Sequence, residues 1–104
     1  MHRIGKLSAI PNGTSCSLNT GQRQLLAVMR AGKLYIYENQ CPHSGETLDP
    51  MGGSVASGGG LILACQRHGA EFLSDNGQCV AGPCLGETLT SVSYSIENDD
   101  ILIE

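Results

Sequence analysis

Two short stretches, residues 41–43 (Cys-Pro-His) and residues 65–68 (Cys-Gln-Arg-His), decide how this chain folds and what it binds. Each stretch contains one thiol and one imidazole, and residues 44–64 separate the two. Four soft or borderline ligands of these types suit either a tetrahedral zinc ion or an iron-sulfur cluster. The sequence therefore predicts one metal centre, built by two loops that each supply one cysteine and one histidine. The candidate ligands are Cys41, His43, Cys65 and His68.

The spacing within each pair favours one of these two metals. Structural zinc sites usually open with two cysteines that are two to four residues apart, and neither stretch has that pattern. A [2Fe-2S] cluster with two histidines on one iron and two cysteines on the other needs this split, because each loop must reach both irons. We therefore favour the cluster and keep a zinc-stabilised interaction domain as the alternative.

The chain that leads into the first stretch has the pattern of a β-hairpin. Residues 24–30 and 33–39 flank an Ala-Gly pair at 31–32, which is a short connection typical of paired strands. In the second arm apolar and polar positions alternate with a period of two, so we predict a half-buried strand with Tyr37 on its outer face. This hairpin delivers the chain to Cys41.

Short extended segments and turns account for most of the remaining chain. Further strands are predicted at residues 3–10, 61–65, 70–74, 78–80, 92–96 and 101–103, with turns at 75–77 and 98–100. Residues 11–21 and the glycine-rich residues 46–60 are predicted to be loops without regular structure. No helix is strongly signalled, and 14 glycines with 4% aromatic residues suit short strands and turns. The sequence predicts an all-β fold.

Length and charge narrow the class of protein. The chain has 104 residues, which predicts a single domain covering residues 1–104. Its formal net charge of -4 argues against binding to nucleic acid or to an anionic membrane, because both require a basic surface. Residues 1–18 lack an apolar run of signal-peptide length, and the apolar residues 61–65 are too few to span a bilayer. Five cysteines cannot all pair internally, which suits a reducing compartment, so we predict a soluble cytoplasmic protein.

The two metal-binding stretches also carry a resemblance. Together with Gly69, Phe72 and the Gly-Pro pair at residues 82–83, they resemble Rieske-type [2Fe-2S] proteins and, more specifically, the small stand-alone Rieske ferredoxins. The likeness covers about three quarters of the chain, from Tyr35 into the closing strands. It implies a Rieske-like antiparallel β-sandwich or barrel of short strands, with a cluster-binding subdomain made of two loops at about residues 39–86.

The resemblance implies roles for the four candidate ligands. Cys41 and Cys65 would bind one iron, and His43 and His68 would bind the other, with the histidine edges facing solvent. The chain would then hold one cluster and carry single electrons from a flavin-dependent reductase to a terminal oxygenase, without an active site of its own. The alternative is a redox-sensing or regulatory subunit of a larger enzyme. The sequence leaves the oligomeric state open.

Four positions depart from the high-potential branch of the family. Where that branch joins its loops by a disulfide, this chain has Glu46 and Arg67, which we expect to form an ion pair. Where that branch aims serine and tyrosine hydroxyls at the cluster sulfur and a cysteine ligand, this chain has Ala70 and Phe72. Hydrogen bonds to the sulfurs raise the reduction potential, so we predict a value near the bottom of the Rieske range of about -150 to +300 mV.

The remaining cysteines and two glycines have other predicted roles. Cys16, Cys79 and Cys84 are interpreted as small apolar packing residues, and a disulfide between Cys79 and Cys84 under oxidative stress is kept as an alternative. Cys84 follows the Gly-Pro pair, and the resemblance implies that a proline-bearing loop covers the cluster, which would bring its thiol near the iron-sulfur core. Gly45 and Gly69 are predicted to occupy tight turns beside the ligands.

Overall fold

The computed structural model describes residues 2–20, 23–41, 45, 47–50, 52–66, 69–82 and 84–103. In these ranges the chain forms short strands and a single 3-10 turn, at Leu7–Ala9. The strands are β1 (His2–Lys6), β2 (Ser15–Thr20), β3 (Arg23–Arg30), β4 (Lys33–Glu38), β5 (Ala56–Ser57), β6 (Ile62–Ala64), β7 (Glu71–Leu73), β8 (Cys79–Ala81), β9 (Ser95–Glu97) and β10 (Asp100–Ile103). They make three antiparallel sheets, in the orders β1-β10-β9, β2-β3-β4 and β5-β6-β7-β8. The predicted all-β fold class is confirmed.

The predicted hairpin forms the middle of the molecule. Strands β3 and β4 pair from Leu25 opposite Glu38 to Arg30 opposite Lys33. Both residues of the connecting turn have positive φ, 52° at Ala31 and 79° at Gly32. Two consecutive residues with positive φ are the signature of a two-residue hairpin turn whose twist matches that of the strands. The Ala-Gly pair therefore sets the register of this sheet.

Strand β3 is buried on both faces and separates two apolar cores. Leu26 and Val28 pack into the core on the side of β5-β8, which we call the cluster-side core. Leu25, Ala27 and Met29 point the other way and pack with residues of β4 and β10. Because successive side chains of a strand point to opposite faces, one strand supplies both cores. The β2-β3-β4 sheet therefore separates the two cores and contributes side chains to both.

The prediction that Tyr37 lies on an outer face is wrong. Its side chain is 2% exposed and belongs to the cluster-side core. The phenol Oη donates a hydrogen bond to the backbone oxygen of Ser74, at 2.6 Å. A Cβ atom on Gly77 would lie 2.9 Å from the tyrosine ring, so only glycine fits beside it. The β5-β6-β7-β8 sheet and its turns cover the face of β4 that the alternating pattern had left to solvent.

The described residues 47–50 and 52–60 of the predicted glycine-rich loop are more ordered than the sequence predicts. They contain β5, which pairs with β6, and Val55 is buried. Ser15 Oγ accepts a hydrogen bond from the Val55 amide at 2.8 Å, while the Ser15 amide donates to Ser54 Oγ at 3.0 Å. A Cβ atom on Gly60 would lie only 2.6 Å from the Met29 backbone oxygen. Gly60 therefore allows this segment to pack closely against β3.

Strand β2 lies where the sequence predicts a loop, so that prediction is wrong. Its residues are mostly polar, yet all six of them pair with β3, from Ser15 opposite Val28 to Thr20 opposite Arg23. The backbone ladder and the apolar face of Leu18 hold this edge strand. Polar side chains can occupy an edge strand because one of its faces remains in solvent.

The ends of the chain form the third sheet. The strand predicted at residues 3–10 ends at Lys6 and is followed by the 3-10 turn. The predicted strand at residues 92–96 is shortened to β9, while Val92 donates its amide to the Ile36 oxygen. The predicted turn before β10 is confirmed by positive φ at Asn98 and Asp99. Among the described residues, no helix has the length and apolar character to cross a membrane.

Candidate metal centre

The two cysteines of the predicted centre begin turns that are closed in the same way. The Gly45 amide donates to the Cys41 oxygen at 2.7 Å, and the Gly69 amide donates to the Cys65 oxygen at 3.0 Å. Both glycines have positive φ, 76° and 71°. Side-chain-bearing residues rarely adopt this conformation, so the predicted tight-turn roles of these glycines are confirmed. Each cysteine is therefore joined by a backbone hydrogen bond to a glycine four residues further along the chain.

The histidine partners belong to these loops in sequence. His43 lies between Cys41 and Gly45, and His68 lies between Cys65 and Gly69. Both histidines fall outside the described residues, so their assignment as ligands stays a prediction. The predicted ion pair of Glu46 with Arg67 falls outside them as well.

Two hydrogen bonds of the buried Asn39 side chain, which we call the Asn39 clasp, hold the first loop. Asn39, directly after β4, donates from Nδ2 to Asp49 Oδ1 at 2.8 Å and accepts the Leu48 amide on Oδ1 at 2.9 Å. Both Asn39 and Asp49 are buried. The clasp joins the chain before Cys41 to the chain after the loop and thereby fixes the ends of the loop. The sequence analysis did not predict this clasp. The feature that could have signalled it is an amide, Asn39, and a carboxylate, Asp49, on either side of the loop.

The second loop is the connection of a β-hairpin. Strands β6 and β7 pair up to Ala64 opposite Glu71, and the Cys65 amide continues the ladder by donating to the Ala70 oxygen at 2.8 Å. The ladder alone therefore places both ends of this loop. Its geometry depends on backbone hydrogen bonds, whereas the first loop depends on Asn39.

The two loops are also joined to each other. The Gln66 amide donates to the Leu48 oxygen at 2.9 Å, which connects the start of the second loop to the end of the first. The Gln66 side chain donates to the Gly52 oxygen, also at 2.9 Å. Two loops that are far apart in sequence are thus held side by side.

A third segment, of which the structure describes residues 82 and 84–87, contacts the chain at both cysteine loops. Gly82 has a φ of 89°, and a Cβ atom there would lie 2.8 Å from Ala70 Cα, so this backbone packs directly on the second loop. Cys84 Sγ lies 3.6 Å from Cys41 Sγ, so the same segment touches the first loop. The structure therefore brings the Cys84 thiol against a candidate ligand, which is the position that the resemblance to Rieske proteins implies for it.

The chemistry of the sulfur donors fits an iron-sulfur cluster. Cys41 and Cys65 are 0% and 3% exposed, and both lie in the cluster-side core with Leu48 and Phe72. Iron-sulfur clusters are held by cysteine thiolates, and an apolar shell limits solvent access and tunes their potential. Two sulfur donors from separate loops that meet in one apolar core are what such a cluster requires.

The thiols of the other two cysteines, Cys79 and Cys16, differ in burial and in partners. Cys79 is buried, and its thiol donates to the Ala81 oxygen at 3.2 Å. Cys16 is half-buried on β2, and burial, followed by the negative charge of Asp49, raises the pKa of its thiol. No disulfide joins any of the five cysteines, all of which lie in the described ranges.

Comparison with known families identifies the class of protein. Residues 1–94 match the model of the Rieske [2Fe-2S] domain family. Because the match covers most of the chain, the chain belongs to this family, and its cofactor is a Rieske-type [2Fe-2S] cluster. The cluster is therefore confirmed over zinc.

A curated relative and several solved structures are similar to the chain. Cholesterol 7-desaturase nvd of Xenopus laevis is 37% identical over 78 residues, which cover 71% of this chain and 16% of that protein. The chain thus spans about a sixth of that relative's length. The ferredoxin of Sphingomonas yanoikuyae B1 has a TM-score of 0.82 at 20% identity, with 99% of this chain and 96% of the ferredoxin covered.

Two components of carbazole 1,9a-dioxygenases share the same fold. The ferredoxin from Nocardioides aromaticivorans IC177 has a TM-score of 0.80 at 22% identity, with coverage of 98% of this chain and 94% of the ferredoxin. The terminal oxygenase from Novosphingobium sp. KA1 has a TM-score of 0.81 at 17% identity, with 96% and 28% covered. At these identities the likeness establishes the fold, and it confirms the predicted Rieske-like architecture.

Proposed function

We propose that the chain carries single electrons on a Rieske cluster bound by Cys41, His43, Cys65 and His68. The observation that carries the proposal is the pair of matching turns that bring Cys41 and Cys65 into one apolar core. In the proposed arrangement the whole chain, residues 1–104, is one Rieske domain, and residues 39–86 form the cluster-binding subdomain. When bound, the cluster accepts one electron and releases it again.

The residues of the chain have two tasks in this function. Leu48, Phe72 and the other apolar residues of the cluster-side core exclude water from the sulfur ligands. The Asn39 clasp and the β6-β7 ladder hold the two loops in place, so the ligand positions need not change when the charge on the cluster changes. Neutral imidazoles in place of two thiolates leave the cluster less negative and raise its potential relative to an all-cysteine cluster.

We further propose that the partners are proteins: a flavin-dependent reductase as the donor and a terminal oxygenase as the acceptor. The near-complete mutual coverage with two ferredoxins supports a separate electron carrier without catalytic activity of its own. One of the similar structures is a complex of reduced oxygenase with oxidised ferredoxin in carbazole 1,9a-dioxygenase. The odd number of cysteines supports a cytoplasmic location.

A second candidate function has support of its own. The relatives include cholesterol 7-desaturase and a terminal oxygenase, each far longer than this chain. In this alternative the domain is the electron-receiving module of an oxygenase, and its acceptor belongs to the same enzyme. If a ferredoxin reduces the protein faster than a flavin-dependent reductase does, this alternative is favoured over the separate carrier.

The ligand set is tested by spectroscopy on protein reconstituted with iron and sulfide without oxygen. We expect two irons and two sulfides per chain, uptake of one electron per two irons in a coulometric titration, and the electron paramagnetic resonance spectrum of a mixed histidine and cysteine cluster. H43A and H68A should each lose that spectrum. H2A, which changes the third histidine of the chain, is the matched control and should keep it.

Three results would contradict the proposal or part of it. Absence of iron and acid-labile sulfide from freshly prepared wild-type protein would remove the electron-carrier function. An unaltered spectrum in both H43A and H68A would show that the ligand set is wrong. A midpoint potential above about +100 mV, in the upper part of the Rieske range, would contradict the low-potential ferredoxin assignment.

A further inference from the structure

Cys84 occupies a position that its role as a packing residue does not explain. Its side chain is 0% exposed, as is that of Cys41, and the two sulfur atoms are 3.6 Å apart. This distance is within hydrogen-bonding range for sulfur, and either thiol can act as the donor when both are protonated. Once Cys41 binds iron as a thiolate, Cys84 is the member of the pair that still has a proton to donate.

The fold holds Cys84 in this position from both sides. Before it, Gly82 packs on Ala70 of the second loop so closely that a Cβ atom would collide. After it, the Glu87 amide donates to the Cys84 oxygen at 2.9 Å, and the Glu87 oxygen accepts the Cys79 amide at 2.9 Å. Leu85, the next residue, is 66% exposed, so the chain turns outward immediately after Cys84. The segment thus directs the Cys84 thiol inward.

We propose that the Cys84 thiol donates a hydrogen bond to the Cys41 sulfur and raises the reduction potential of the cluster. This inference rests on the proposed ligation of the cluster by Cys41. A donor beside a ligand sulfur stabilises the reduced cluster, which carries one more negative charge, relative to the oxidised cluster. The side chains at positions 70 and 72 are alanine and phenylalanine, which have no hydroxyl to offer. A thiol is a weak donor, so its contribution is a modest adjustment.

Substitution of Cys84 tests the proposal through the potential. In C84A the midpoint should shift to a more negative value than in wild type. In C84S the hydroxyl is a stronger donor, and the midpoint should be at or above the wild-type value. C79A is the matched control, because Cys79 is equally buried but donates to the Ala81 oxygen, and its midpoint should not move.

Vibrational spectroscopy supplies a second readout, which does not depend on the midpoint potential. Exchange of wild-type protein into deuterium oxide should shift an iron-cysteine stretching frequency in the resonance Raman spectrum. C84A should lose that part of the shift, and C79A should retain it.

The outcomes separate this inference from the proposed function. If wild-type protein shows the mixed-ligand spectrum but C84A matches it in both midpoint and deuterium shift, the Cys84 hydrogen bond is overturned and the electron carrier stands. If C84A and C84S shift the midpoint equally in the negative direction, Cys84 acts through packing alone and the proposal fails. If the wild-type protein lacks the mixed-ligand spectrum, the proposed function fails first.

Discussion

The first and second cysteine loops close with the same backbone hydrogen bond but are supported in different ways. The first loop follows the last residues of β4, and the side chain of Asn39 joins its two ends. The second loop connects β6 to β7, and the strand ladder joins its ends. A loop within a hairpin takes its geometry from the backbone, whereas a loop that leaves a sheet needs a side chain to fix it. Three of the four predictions below test this difference, and the fourth, at Tyr37, tests the packing of the two sheets that precede and carry the loops.

Substitution of Gly82 should have the largest effect, because it affects the contact that covers the second loop. G82A places a Cβ atom 2.8 Å from Ala70 Cα and also forces a positive φ on alanine. Overpacking and strain together should lower the free energy of unfolding by about 2–5 kcal/mol. Urea denaturation and the cluster content after reconstitution measure the effect.

The matched control for G82A is G52A. Gly52 also has a positive φ, 78°, but a Cβ atom there meets nothing within 4 Å. The G52A substitution should lower the free energy of unfolding by only about 1–2 kcal/mol, through backbone strain alone. Equal losses in the two variants would show that the contact of Gly82 with Ala70 contributes nothing beyond backbone conformation.

Removal of the clasp in N39A should have the next largest effect. It leaves the Leu48 amide and the Asp49 carboxylate, both buried, without their Asn39 partner. Loss of these bonds should lower the free energy of unfolding by about 2–4 kcal/mol. We also expect faster release of iron to a chelator, because the first loop becomes loose. N19A, at an exposed asparagine of β2, should behave as wild type in both measurements.

Substitution of Tyr37 tests the contact between the β2-β3-β4 sheet and the β5-β6-β7-β8 sheet. Y37F removes the donor to the Ser74 oxygen and should lower the free energy of unfolding by about 1–3 kcal/mol at neutral pH. Burial, with smaller contributions from Asp75 and Tyr35, raises the pKa of Tyr37 to about 12. The unfolded chain has a tyrosine pKa of about 10, so the folded state keeps its proton to higher pH.

The pH dependence follows from that difference. The contribution of Tyr37 to stability is fully present below about pH 10 and is lost as the pH rises toward 12. Wild-type protein should therefore lose stability more steeply than Y37F between pH 10 and pH 12 in urea titrations. Parallel curves for the two proteins would contradict a buried, hydrogen-bonded phenol.

The smallest effect is expected from Q66A, on the second loop. The Gln66 side chain donates to the Gly52 oxygen at an exposed site, so its loss should cost less than about 1 kcal/mol. Its backbone amide, which binds the Leu48 oxygen, is unaffected by the substitution. Iron release should match that of wild type. A loss as large as that of N39A would show that side chains hold the second loop too.

The accuracy of the sequence predictions depended on how local each feature is. The hairpin at Ala31 and Gly32 and the tight turns at Gly45 and Gly69 were predicted because each contains a glycine, the residue that a positive φ favours. Strand β2 and the burial of Tyr37 were missed. Both depend on a partner strand or sheet that residue alternation does not reveal, since polar side chains on β2 resemble a loop and a tyrosine fits either face.

The sequence by itself determined the kind of site: two loops with a cysteine and a histidine each, and glycines where the backbone must turn. These features depend on residue chemistry and on short spacings, which the chain carries in any conformation. Only the tertiary structure decided that Asn39 clasps the first loop and that Cys84 rests on Cys41. These contacts join separate segments of the chain, and they exist because packing of the β2-β3-β4 sheet against the β5-β8 sheet brings those segments together.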